Sequence, residues 1–121
     1  MKTRIEIYRW DEVASESPIP LIHRQMVTGN DMMSALVRLE TGCHVAKHHH
    51  AAEQIAVHLS GRALWKMGDE GSEDYREMEV TGGTVVVIPS NQPHEVIALE
   101  ETLILDTLTP IGLMGIDRQN G

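Results

Sequence analysis

Glycines at fixed distances from a run of histidines constrain this chain more than any other feature. His48, His49 and His50 are consecutive, with Gly42 ahead of them, Gln54 after them and Gly61 further on. Positions 42–61 read G-x5-H-x-H-x3-Q-x6-G. A second cluster over 83–98 reads G-x5-P-x4-H, from Gly83 through Pro89 to His94. Glycines at such intervals suit short strands joined by tight turns. Histidines held between them suit a metal site assembled from two distant parts of the chain. A tag or a solvated histidine loop is the bland alternative, but the run is internal and flanked by matched glycines.

Parity carries the reading further. Side chains alternate along an extended chain, so His48 and His50 point to one side and can chelate one ion, with His49 turned away. Gln54 keeps that parity and offers a neutral carbonyl oxygen. His94 then has to arrive from a distant strand. One divalent transition metal is expected on His48, His50, Gln54 and His94, a mixed nitrogen and oxygen set that suits zinc, nickel, copper, iron or manganese. By the same rule His44, in phase with His48, is a candidate for the pocket mouth, with an ordinary surface histidine as the alternative. Cys43, out of phase, is expected to serve packing.

The rest of the chain reads as strand and turn. Alternation over 4–9 around Ile5 and Ile7 predicts a strand. Runs at 23–27 and 32–40 flank the turn Thr28-Gly29-Asn30-Asp31, a hairpin signal. Further strands are expected at 54–59, 62–67, 75–80, 84–88, 94–99 and 102–108, and nothing longer than a short helix near 10–14. Many short strands between Gly, Pro and Asn turns predict an all-β barrel or sandwich. With 121 residues, one domain spanning 1–121 is expected. The chain lacks phenylalanine, so Val, Ile, Leu and its 7 methionines must fill the core. Trp65 shares parity with Ala63 and is a candidate for the interior. His23 and Arg24 read as surface residues, and Arg38 as an anion anchor or an exposed strand charge.

Charge and composition limit the partners. Net charge is -8, and no basic run exists to follow a phosphate backbone, so no nucleic-acid partner is expected. No apolar run reaches membrane-spanning length and no signal peptide opens the chain, so no membrane partner is expected. The single cysteine excludes an intrachain disulfide and fits a reducing compartment, so the expectation is cytoplasmic. A homodimer is expected, with the segment around Ile5 and Ile7 pairing with a partner's sheet edge.

The two motifs together resemble those of the cupin family over nearly the whole chain. The resemblance implies a double-stranded β-helix, or jelly-roll, barrel and a metal held by His48, His50, Gln54 and His94. In that family glutamate usually stands where this chain has Gln54, glycine where it has Asn91, and asparagine where it has Ala98. The ligand set is similar to that of uronate-linearising cupins of pectin and alginate breakdown, and of cupin-type polyketide cyclases. The segment Asp106-Thr107-Leu108-Thr109-Pro110-Ile111-Gly112 matches an Asp-x-Phe-x-Pro-x-Arg-like pattern at the aspartate and the proline. Leu108 and Gly112 replace the aromatic and the arginine.

Three imidazoles and an amide are all neutral, so a divalent ion would keep its full charge and act as a Lewis acid. Zinc or nickel is favoured over iron, manganese or copper. The expected activity is a non-redox isomerisation, cyclisation or lyase step on a small oxygen-rich molecule of polyketide or sugar-acid type. Asp106 and His58 are the candidate catalytic proton carriers. Asp106 interrupts an apolar run in phase with Ile104 and Leu108, and His58 shares parity with Gln54. The alternatives are a dioxygenase using iron, copper or manganese, and a non-catalytic barrel that binds a small molecule.

Overall fold

The computed structural model describes residues 1–116. After a single 3-10 turn over Trp10–Glu12 come nine strands: β1 (Ile22–Thr28), β2 (Met33–Leu39), β3 (His44–His48), β4 (Glu53–Ser60), β5 (Arg62–Met67), β6 (Arg76–Thr81), β7 (Val85–Ile88), β8 (His94–Ala98) and β9 (Thr102–Thr109). They form two antiparallel sheets, a five-stranded one in the order β1-β2-β9-β4-β7 and a four-stranded one in the order β3-β8-β5-β6. β9 lies between β2 and β4, so non-local pairing closes the larger sheet. This is the all-β jelly roll that the motifs imply. Among the described residues no helix is long and apolar enough to cross a membrane.

Period-two burial fills the space between the sheets. Met33, Ala35, Val37 and Leu39 of β2 face inward, opposite Trp65 and Ala63 of β5 and Val96 and Ala98 of β8. Without phenylalanine, Trp65 is the largest fully buried side chain among the described residues, followed by Ile22, Leu39 and Leu108. Ala35, Ala56 and Ala63 are fully buried small residues, which let the sheets pack closely. Methionine divides by phase: Met33 is buried and Met32 exposed.

Two expectations change, and one open alternative is decided. Residues 4–9 pair with no strand among the described residues, and Ile5 and Ile7 stand 94% and 89% exposed. The arm is fastened instead by its ends: the Lys2 backbone N–H donates to Asn30 Oδ1 (2.8 Å), and the Gln25 amide donates to the carbonyl oxygens of Trp10 and Val13. Arg24 is a core residue, 3% exposed, because β1 turns Ile22 and Arg24 toward the opposite sheet. Its charge is met by Glu16, which folds over it through a backbone bridge. Arg38 is the exposed strand charge, 3.6 Å from Glu101.

Candidate metal centre

The histidines converge because β3 and β8 are neighbours. His48, the last residue of β3, is paired with His94, the first of β8. The register slips between Val45 and His48, where three steps along β3 match two along β8. This β-bulge inverts the phase, so Val45 and His48 both face the interior. It also explains why His44 is exposed on the outer face, with Nε2 2.5 Å from Glu95, and not at the pocket mouth. Cys43 is buried as packing, its thiol directed at the Pro20 carbonyl. His50 lies just beyond β3 in the turn to β4, and His49 is exposed.

Ring nitrogens of His48, His50 and His94 lie within 4.8 Å of one another. Each ring uses Nδ1 to donate to a nearby backbone carbonyl: His48 to Ala46 (2.9 Å), His50 to Ala52 (2.8 Å) and His94 to Gln92 (2.9 Å). A carbonyl only accepts, so each Nδ1 carries the proton and each Nε2 presents a lone pair. Burial holds His48 below the ordinary imidazole range. Burial, reinforced by the neighbouring His48, takes His94 down to about 4. Both rings therefore stay neutral and available as ligands at neutral pH.

Gln54 completes the set from β4. Its amide nitrogen donates to Asp106 Oδ1 (2.8 Å), which turns Oε1 toward His50 Nε2 at 2.9 Å. With the His50 proton on Nδ1, that contact sets two lone pairs against each other. A cation accepting both resolves the conflict, so the donor set fits one metal ion.

Asp106 lies at the middle of β9 between Ala35 of β2 and Ala56 of β4. Burial pushes its carboxyl up to about 7, against the opposing effect of the Gln54 amide. His48, Gln54, His94 and Asp106 share an internal cavity of about 50 Å³ with apolar walls that include Val37, Leu39, Val96 and Ile104. That volume holds little more than water. His58 is one layer deeper. Trp65 donates its indole N–H to His58 Nε2 (3.0 Å), which leaves the ring proton of His58 on Nδ1. The Trp65 ring in turn stacks on His94 at 6.0 Å between centroids and 18° between planes.

The segment after β9 was not foreseen as part of the site. Met114 and Ile116 are buried over the cavity, and Gly115 lies so close to His48 that an added Cβ would be 2.3 Å from its Cδ2. The i, i+2 spacing of Met114 and Ile116 beyond Pro110 was the available signal.

No curated protein matches the chain. Among solved structures it is similar to KdgF from Halomonas sp., at 24% identity and a TM-score of 0.77, covering 88% of this chain and 96% of that one. An RmlC-like cupin from Shewanella frigidimarina NCIMB 400 superposes with a TM-score of 0.79 at 16% identity, covering 99% and 98%. Oxalate decarboxylase of Bacillus subtilis aligns at 19% identity with a TM-score of 0.77, over 91% of this chain but only 31% of that longer one. The family model described as cupin domain matches residues 35–108, which include both histidine clusters and Asp106. The chain belongs to the cupin family.

Proposed function

We propose that this cupin is a metal-dependent enzyme for a non-redox step, an isomerisation, cyclisation or lyase reaction, on a small oxygen-rich substrate of sugar-acid or polyketide type. The observation that carries the reading is the link from His50 through Gln54 to Asp106, which joins a neutral donor set to a buried carboxyl by two contacts. His48, His50, Gln54 and His94 would hold one divalent ion, with zinc or nickel favoured by the neutral nitrogen and oxygen donors. When bound, the ion supplies Lewis-acid polarisation of a substrate oxygen. Mn(II) centres in the oxalate decarboxylase neighbour keep manganese among the candidates.

The chain's own groups do the rest. Asp106 lines the cavity, and its oxygen not engaged by the Gln54 amide takes or returns a proton there. A carboxyl near 7 suits either direction at neutral pH. Val37, Leu39, Val96 and Ile104 keep the surroundings dry, which strengthens each polar contact there. His58, whose Nε2 is engaged by Trp65, serves in this reading to hold the indole against His94.

Elemental analysis of untagged protein purified without added metal, beside His94→Ala, tests the centre. Near-stoichiometric zinc or nickel that disappears in the variant is the expected result. Iron, copper or manganese would turn the reading to a dioxygenase, and no metal in either protein to a ligand-binding barrel. On a turned-over sugar acid or β-polyketone, Asp106→Asn is expected to lose roughly 10²–10⁴-fold in kcat with its metal retained. Unchanged turnover would remove Asp106 from the mechanism.

A further inference from the structure

We infer that the groove beside the metal centre is a carboxylate subsite, with Arg76 as its anchor. Arg76 opens β6 and pairs across the sheet with Met67 of β5, which pairs on its other side with His94 of β8. Directly paired residues project from the same face of a sheet, so Arg76, Met67 and His94 form one row on the inner face. β6 is an edge of the smaller sheet and β7 an edge of the larger one. The groove between them, about 550 Å³, is lined by Arg76, Met67, Val86, Gln92 and His94.

Two features point to a ligand that carries a carboxylate. Among the described residues Arg76 makes no ion pair, although Glu73 and Asp74 line the same groove. A guanidinium fork left open is the natural partner of a planar carboxylate. The internal cavity of about 50 Å³ is too small for a substrate of several carbons, so such a ligand must extend outward from the centre. A second cavity of about 620 Å³ opens near His48 and His50, but its lysine, Lys47, is already paired with Asp69. The groove thus offers the uncommitted cation.

Length follows from the register. Arg76 and His94 are two strand spacings apart, roughly 10 Å between their Cα atoms. A ligand of about five carbons with an oxygen donor at one end and a carboxylate at the other spans that distance. The two acids on the rim disfavour additional negative charge beyond the anchor.

The inference rests on the metal reading above, and the experiment separates the two. Metal content is measured on the protein as purified, which is then titrated calorimetrically with glutarate and with pentanoate, equal in length but differing by one carboxylate. Glutarate is expected to bind at least tenfold more tightly. Arg76→Gln should remove that preference while leaving pentanoate affinity and metal content unchanged, and Arg76→Lys should restore part of it. Equal affinity of the wild type for the two acids, including none detectable, overturns the subsite. So does a preference that survives in Arg76→Gln. An Arg76-dependent preference in a protein that contains no metal keeps the subsite and overturns the metal reading.

Discussion

An alanine at Gly61 would place its Cβ 2.2 Å from the Glu101 carbonyl oxygen and 2.6 Å from Thr102 Cα. Both neighbours are backbone, so neither can rotate away. Gly83, which opens the second motif, has nearly the same φ, +89° against +90°, but nothing within 4 Å of an added Cβ. Gly83→Ala should therefore lose only the left-handed backbone preference, roughly 1–2 kcal/mol. Gly61→Ala should lose that and a further roughly 1–3 kcal/mol for the overlap. Urea denaturation of both variants checks the order, and equal losses would refute the close approach. His58 supplies a pH prediction. Burial holds its pKa below the ordinary value, so the unfolded chain binds the proton more readily. This contribution to stability is full above the unfolded pKa of about 6.5 and is lost as pH falls below it. In metal-free protein, His58→Leu should start lower at pH 7.5, because the Trp65 N–H loses its acceptor at a cost of roughly 1–3 kcal/mol. It should then fall less steeply than wild type between pH 7 and 5. Parallel curves would show that His58 does not titrate with folding.

Element by element, alternation was a good guide where strands are regular and failed where they are not. β5 spans Arg62–Met67, the same residues that alternation marks, and β4, β8 and β9 differ from expectation by a residue or so. The inward aim of Asp106 and the burial of Trp65 follow from period two, and the motif spacing brings His48, His50 and His94 together, although His50 lies in a turn where strand parity does not apply. The bulge in β3 was not legible, because its extra residue is visible only in the pairing with β8, and the side on which His44 lies stayed open as a result. Arg24 escaped for another reason: an inward arginine is tolerated only because Glu16, eight residues earlier, returns to cover it. Arg4–Arg9 has strand-like alternation but no pairing partner among the described residues of its own chain. The segment over the cavity carries a prediction at this scale. Ile116 is buried against the metal-site cavity, so Ile116→Ala should cost roughly 2–4 kcal/mol, by lost burial and by the void left behind. A urea midpoint unchanged from wild type would mean that the segment does not close the barrel in solution.

For the whole molecule, the outer face of the five-stranded sheet poses the remaining physical question. Ile55, Leu59, Val85 and Val87 are exposed there, and Leu36, Val57, Leu103 and Leu105 are only half-buried. These outward positions of β2, β9, β4 and β7 adjoin one another through the registers of the sheet, with Arg38 and Glu53 confined to its rim. An isolated chain has no reason to present such a surface to water. A second copy is the occupant that the charge favours. In a chain of net charge -8, a face without charge inside its rim is where two copies can meet without like-charge repulsion. Ile5 and Ile7 add to this, since Arg4, Glu6 and Tyr8 line a cavity against the body while the two isoleucines point away from it. The arm therefore offers its apolar side to a neighbour. A stable interface needs roughly 800 Å² from each partner. Sedimentation velocity at tens of micromolar should give about twice the chain mass of 13.5 kDa. Ile55→Lys with Val87→Lys should return a folded monomer with an unchanged far-UV circular dichroism spectrum, because neither side chain belongs to the core. Ile5→Lys with Ile7→Lys should weaken the dimer by less. A wild-type monomer would reject self-association on this face, and a dimer that survives the Ile55 and Val87 substitutions would place the interface elsewhere.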